Sequence, residues 1–239
     1  FNNIQGDAID TSGSIVELEN IKIKNVFDKG LSIGEGSIVK GKNIEVIDSG
    51  VGVAIKDSSN LELKSNFERI QKRGPDYSIL QHINNITLGF HRLAINDLSD
   101  SGNQPFSDNN IYLICNGEIY NYKILEKKYG FKLQTGSDCE IILHLYNMKK
   151  EKLLNELDGV FSFVIYDNTH NEILVGHDPI GVRSLYMGTN NNSNEIGFSS
   201  EIKGLNNLYD NITNFNPGSY LKYKLGNNVY NIKQYYNLT

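Results

Sequence analysis

Tryptophan is absent from this 239-residue chain, cysteine and methionine occur twice each, and proline occurs four times. Two cysteines, Cys115 and Cys139, are too few for a disulfide framework and lack metal-ligand spacing, which fits a reducing compartment and makes cytoplasm the expected location. Uninterrupted apolar runs are only a few residues long, so no membrane-spanning helix is expected, and no basic-then-apolar start marks a signal peptide. A positive excess is missing too. Lys and Arg total 23 against 28 Asp and Glu, a formal charge of −5, which leaves no basic stripe for a phosphate backbone and argues against nucleic acid as the main partner. The chain opens on Phe1 rather than Met, as a piece of a longer protein or a processed product does.

The composition that remains is that of a folded protein, 39 % hydrophobic and 21 % charged with 14 Tyr and 10 Phe, and its length admits one large domain or two small ones. Two grammars divide it. Over residues 6–63, Ile and Val alternate with polar residues and Gly, Asn, Asp and Ser punctuate every few positions, the pattern of short strands. Gly6–Ser14 lines up with Lys29–Ser37 and again with Val51–Ser59, at offsets of 23 and 22 residues. Each unit leads into an Asn followed by alternating apolar residues: Asn20-Ile21-Lys22-Ile23, Asn43-Ile44-Glu45-Val46 and Asn60-Leu61-Glu62-Leu63. One such unit cannot bury its apolar face alone, whereas stacked copies can. The region resembles about three coils of a right-handed parallel β-helix, although an antiparallel meander has the same periodicity. Asp7, Asp10, Asp28, Asp48 and Asp57 are read as turn residues rather than calcium ligands.

From about Phe67 the pattern becomes mixed, which puts the domain boundary at 1–65 and 66–239. Ser65–Lys72 reads as a helix end stopped by Gly74-Pro75. Residues 119–129 and 137–149 read as amphipathic helices, the second opened by the capping pair Ser137-Asp138. Strands are expected at 86–90, 110–115, 159–166, 172–177, 184–188, 195–199 and 219–224, an alternation that suggests a layered α/β sandwich.

Six motifs follow in order: Arg73-Gly74-Pro75-Asp76, His91-Arg92-Leu93-Ala94-Ile95, Gln104-Pro105, Asn116-Gly117-Glu118-Ile119-Tyr120-Asn121, Gly136-Ser137-Asp138-Cys139-Glu140, and the pair Leu157–Phe163 with Asp178-Pro179-Ile180-Gly181-Val182-Arg183-Ser184-Leu185-Tyr186. Together they resemble class II glutamine amidotransferases over residues 66–239, and the asparagine synthetase branch in particular. The resemblance implies an α+β fold of the N-terminal-nucleophile type, a four-layer αββα sandwich, in which an N-terminal cysteine attacks the glutamine side-chain amide. It also implies a set of glutamine-binding residues: Arg92, Leu93, Ile95, Asn116, Gly117, Glu118 and Asp138. Arg92 supplies a planar cationic fork for the α-carboxylate, and Asp138 with Glu118 receives the α-ammonium. Asn116 and Gly117 form the catalytic oxyanion hole, an amide donor and a backbone N–H aimed at the oxygen that becomes negative.

Each residue also has a plainer reading. Asn116-Gly117 matches a type I′ hairpin turn, Arg92 beside Asp97 a surface ion pair, and Asp138 a helix cap. Arg73 and Asp76 are read as structural. The family's cysteine falls roughly fifty residues before Arg92, near Ile44, where this sequence has none, and Cys115 and Cys139 are internal packing residues. The glutaminase chemistry is therefore not expected from these residues alone. His177 and Arg183 depart from the pattern Arg-Asp-x-x-Gly-x-Lys-Pro-Leu-Tyr of the asparagine synthetase branch. Gly-x-Arg suits the phosphoribosylpyrophosphate amidotransferase branch, while Glu118 favours asparagine synthetase. No Ser-Gly-Gly-x-Asp-Ser motif is present, so ATP and Mg²⁺ are expected only in a further synthetase domain, with no cofactor or metal in this one. The partners implied are glutamine and a synthetase domain or subunit that receives ammonia, with a homodimer also open. The rival readings are a non-catalytic binding or scaffold protein and a carbohydrate-associated module.

Overall fold

The computed structural model describes residues 1–12, 14–33, 38–42, 45–55, 60–226 and 230–237. The chain divides into two compact units, Phe1–Glu62 and Leu63–Thr239.

The first unit holds strands β1 (Asn2–Ile4), β2 (Ile9–Thr11), β3 (Ile15–Glu19), β4 (Lys22–Ile33), β5 (Ile38–Lys42) and β6 (Glu45–Ile55). Among the described residues its pairings are all parallel and join residues 22 or 23 apart: Asn2 with Lys24, Ile9 with Leu31, Ile15 with Ile38 and Lys22 with Glu45. A one-residue irregularity between Val26 and Lys29 changes the step along β4 and β6. The repeat aligned at 23 over Gly6–Ser14 therefore pairs at 22 over Ile9–Thr11. Ile23, Val26, Leu31 and Ile33 are buried, the shared interior that one unit alone could not make. Asn25 donates its side-chain amide to the Asn2 and Asn3 side chains at 3.1 Å each, so stacked turns are bonded through asparagine. Parts of the second and third repeat units, residues 34–37, 43–44 and 56–59, lie outside the described residues, and with them the Ile44 position. Asn60–Leu63 is not a strand. It opens helix α1 (Asn60–Arg69).

The second unit is built on a six-stranded antiparallel sheet of β9 (Phe106–Asp108), β10 (Ile111–Ile119), β11 (Gly159–Asp167), β12 (Glu172–His177), β16 (Ser219–Lys224) and β17 (Asn231–Gln234), ordered 17-16-12-11-10-9. Strand alternation sends Leu113, Cys115, Ile119, Phe161, Phe163 and Ile165 to one face. That face is covered by helices α2 (Tyr122–Tyr129) and α3 (Glu140–Lys149), which set Leu125, Ile141, Ile142, Leu145 and Tyr146 against it. The other face, with Tyr166, Ile173, Val175, Leu221 and Tyr223, meets a second strand layer in two pieces. One piece is the hairpin β7 (Tyr77–Ile83) and β8 (Ile86–Arg92), and the other is the sheet of β14 (Ile196–Ser199), β13 (Tyr186–Thr189) and β15 (Asn211–Asn214). The last part of α1 covers the outside of the hairpin, where Phe67 stacks on His91 at 3.7 Å between ring centroids. The layers run helix, sheet, sheet, helix.

Several boundaries differ from expectation. Residue 119 is the end of β10, paired with Gly159, so the helix expected from 119 starts at Tyr122. The helix expected from 137 starts at Glu140 and has no side-chain cap: the Asp138 carboxylate bonds elsewhere. Arg73 pairs with Glu201 at 3.3 Å and Asp76 accepts the N–H of Ala94 at 2.8 Å, contacts that anchor the chain around β8.

Candidate functional site

Ile111-Tyr112-Leu113-Ile114-Cys115 is an alternating β-forming run, and it carries Asn116-Gly117-Glu118 with it as strand rather than as a turn. The period of two turns Asn116 and Glu118 toward the second strand layer, on the face shared with Tyr112. Asn116 lies opposite Ser162 and Ser162 opposite His177, so one row crosses three strands. The Asn116 Nδ2 is buried and has no hydrogen-bond partner among the described residues. Along the margin of β10 beyond β9, the N–H of Cys115 donates to Gln104 Oε1 and that of Ile119 to Asp138 Oδ2, both at 2.6 Å. The Gly117 N–H lies between them. Glycine is required at 117 because a Cβ there would stand 2.6 Å from the Cα of Phe161.

Arg92 ends β8 and is only 7 % exposed. Its Nη1 donates to Ser99 O at 2.8 Å and Asn103 Oδ1 at 2.7 Å, and its Nη2 to Asn96 O at 3.4 Å and, more closely, to Asp97 O. The loop 96–103 thus wraps the guanidinium. The contact with Asp97 is to its carbonyl, so the surface ion pair between the two side chains does not form. The Asp97 carboxylate instead accepts Ser99 Oγ at 2.6 Å, Ser99 N at 3.0 Å, Ser101 Oγ at 3.0 Å and Gly136 N at 2.8 Å. These bonds, the Ser99 hydroxyl first, hold its carboxyl well below the usual range. Asp138 is 4 % exposed, and its Oδ1 accepts Asn96 Nδ2 at 2.9 Å. Asn96 therefore touches both candidate charges, its carbonyl on Arg92 and its amide on Asp138, and draws them into one network.

Glu118 belongs to a second network, its Oε1 accepting Arg183 Nη2 at 2.9 Å. The loop that delivers Arg183 is shaped by Asp178, whose Oδ1 accepts the N–H groups of Ile180, Gly181 and Val182 at 2.8, 2.6 and 3.4 Å. Pro179 has no N–H to offer, and Gly181 takes a φ of +74° that favours glycine, so Asp-Pro-x-Gly is the sequence of this turn. His177 Nε2 lies 2.8 Å from Arg183 O and its Nδ1 2.9 Å from Phe215 O, fixing the far end of the loop.

Leu93 and Ile95 are 55 % and 63 % exposed, so their side chains form no buried wall of the site. Cys115 and Cys139 are both buried. The Cys139 thiol is pushed well above its ordinary range, first by its hydrogen bond with Cys115 and then by burial, the opposite of a reactive thiolate. Among the described residues no cluster of His, Cys, Asp and Glu is arranged to hold a metal ion. The sequence motifs pointed to Arg92, Asn116, Glu118 and Asp138 but gave no role to Asn96 or Gln104, whose partners lie 42 and 11 residues away.

The family model described as a glutamine amidotransferase domain matches residues 49–236. A probable glutamine-hydrolysing asparagine synthetase of Acanthamoeba polyphaga mimivirus is 44 % identical over 160 residues, covering 64 % of this chain and 29 % of that protein. Glutamine-hydrolysing asparagine synthetase 1 of Arabidopsis thaliana is 42 % identical over 172 residues, covering 71 % of this chain and 28 % of the relative. The chain spans less than a third of the length of either. Among solved structures, the glutamine phosphoribosylpyrophosphate amidotransferase of B. subtilis with ADP and GMP superposes with a TM-score of 0.53 at 23 % identity, over 63 % of this chain and 35 % of that one. An allosteric regulatory enzyme of purine biosynthesis gives 0.52 at 24 %, over the same shares. At those identities the likeness concerns the fold, which is that of the N-terminal-nucleophile amidotransferases. With most of its length matched by the family model, the chain belongs to the glutamine amidotransferase domain family.

Proposed function

We propose that Leu63–Thr239 is a glutamine-binding domain of the asparagine synthetase type, serving a synthetase domain or subunit that receives ammonia. The observation that carries this reading is the buried Asn116 Nδ2, a donor without an acceptor at the end of β10. A buried unpaired amide costs stability, and an oxyanion site is a place where such a donor is kept for a ligand oxygen. Around it, Arg92 is the cation for an α-carboxylate, and Asp138 with Glu118 the anion for an α-ammonium. Both Nη atoms of Arg92 are held by oxygens of loop 96–103, so a carboxylate that binds them takes the place of some of those bonds.

Hydrolysis needs a nucleophile that these residues do not supply, because both cysteines are buried. We therefore infer that this stretch recognises glutamine, and that ammonia reaches the synthetase partner only where a nucleophile from outside these residues completes the site. ATP and Mg²⁺ belong, in this proposal, to the synthetase partner and not to this domain; a homodimer and a cytoplasmic location are parts of the same proposal. For the first unit we propose a short parallel β-helix, supported by parallel pairing at steps of 22 or 23 residues. A phosphoribosylpyrophosphate amidotransferase-like role is the second reading, favoured by Arg183 in Gly-x-Arg, whereas Glu118 favours the first. Calorimetric titration with glutamine tests the site: saturable binding lost in Arg92→Ala supports it, and equal heats for both proteins remove it. A parallel ammonia assay is expected to show no release.

A further inference from the structure

The ion pair of Glu118 and Arg183 sits on the same strand face as the unpaired Asn116 amide, two residues along β10. Both side chains are about one-third exposed, at 37 % and 33 %, so the pair is neither a freely solvated surface contact nor a buried bridge. Three observations bear on why it is there. The Arg183 backbone is held independently of its head, by His177 at its carbonyl and by the Asp178 turn before it. Its Nε is buried and has no hydrogen-bond partner among the described residues, a deficit that an arginine placed for stability alone tends to avoid. Its recorded guanidinium bond is to one carboxylate oxygen, Oε1, while a carboxylate offers acceptor sites on both.

We propose that Arg183 is a positioning residue for recognition of the ligand's α-amine: it fixes the plane of the Glu118 carboxylate so that Oε2 is presented to the ammonium. This rests on reading the site as one for glutamine. A glutamate left alone samples many rotamers, and ordering it when the ligand arrives weakens binding; a guanidinium already locked to Oε1 removes that cost. Because Arg183 acts through Glu118, its influence belongs to the amine end of the ligand and not to the carboxylate or amide ends.

The experiment compares L-glutamine with 4-carbamoylbutanoate, which lacks only the amine, by calorimetry on the full chain and its variants, with urea unfolding as a check on folding. Arg183→Met is expected to raise the Kd for glutamine about tenfold and leave that for 4-carbamoylbutanoate unchanged. Arg183→Lys restores part of the loss. Glu118→Gln shows the same selectivity, and the Glu118→Gln, Arg183→Met double variant loses little more than either single one. If Arg183→Met changes both affinities equally, or neither, Arg183 has no special tie to the amine and the proposal is overturned. Wild-type protein that binds neither compound overturns the glutamine reading itself, a distinct failure. Should Arg183→Met unfold, the same comparison is read on Arg183→Lys, and a loss shared equally by both compounds overturns the proposal.

Discussion

At Gly117 a methyl group would arrive 2.6 Å from the Cα of Phe161, a backbone atom that cannot swing aside. Gly117→Ala should therefore lower the unfolding free energy by about 1–3 kcal/mol in urea titrations, the usual cost of overpacking. Its neighbour behaves in the opposite way. Asn116 Nδ2 is buried without an acceptor, so Asn116→Leu, similar in shape, removes an unsatisfied donor and should leave stability within about 1 kcal/mol of wild type. Glutamine binding, followed by calorimetry, should nonetheless weaken in that variant. The separation of the two effects is the mark of a residue kept for a ligand. These residues were legible in the sequence because their motifs come in order. Their partners were not: Asn96 finds Asp138 across 42 residues and Glu118 finds Arg183 across 65, distances over which no local pattern carries information.

The segment before α3 shows why elements were harder to delimit than residues were to identify. Ser137-Asp138 resembles a helix cap, but Asp138 spends its oxygens on Asn96 and Ile119, and Glu140 takes over the turn by accepting Gln134 N, Thr135 N and Thr135 Oγ1, each at 2.7 Å. Burial pushes the Glu140 carboxyl up, while these bonds together with His144 pull it further down, leaving it below the ordinary glutamate value. A depressed carboxyl stabilises the fold above its unfolded pKa, and that contribution disappears as pH falls through the folded value. Urea stability is thus expected to drop below about pH 4.3, the ordinary glutamate pKa, and Glu140→Gln to flatten part of that slope. Long alternating strands such as β10 and β11 were legible, as was the helix ending before Gly74. The strands β7, β9, β15 and β17 were not: β9, β15 and β17 have only three or four residues, which hold little periodicity, and the seven of β7 break strict alternation at Ile79-Leu80.

For the molecule as a whole, the layered architecture followed from the mixture of helix and strand signals and the motif order, and the repeat length of the first unit was visible in the spacing of its glycines and asparagines. The one-residue change of step within that unit was not, since it arises from a local irregularity between Val26 and Lys29. If glutamine binds only the folded second unit, saturating ligand at about 100 times Kd adds about 2.7 kcal/mol to its stability. A thermal shift should then appear for wild type and vanish in Arg92→Ala. The Gln104 side chain clasps both the N–H and the carbonyl of Cys115, doing there what a neighbouring strand does elsewhere. Both residues are buried, so Gln104→Leu keeps the bulk but leaves the Cys115 N–H and carbonyl shut away from water with nothing to bond, and urea titrations should show a loss of about 1–3 kcal/mol.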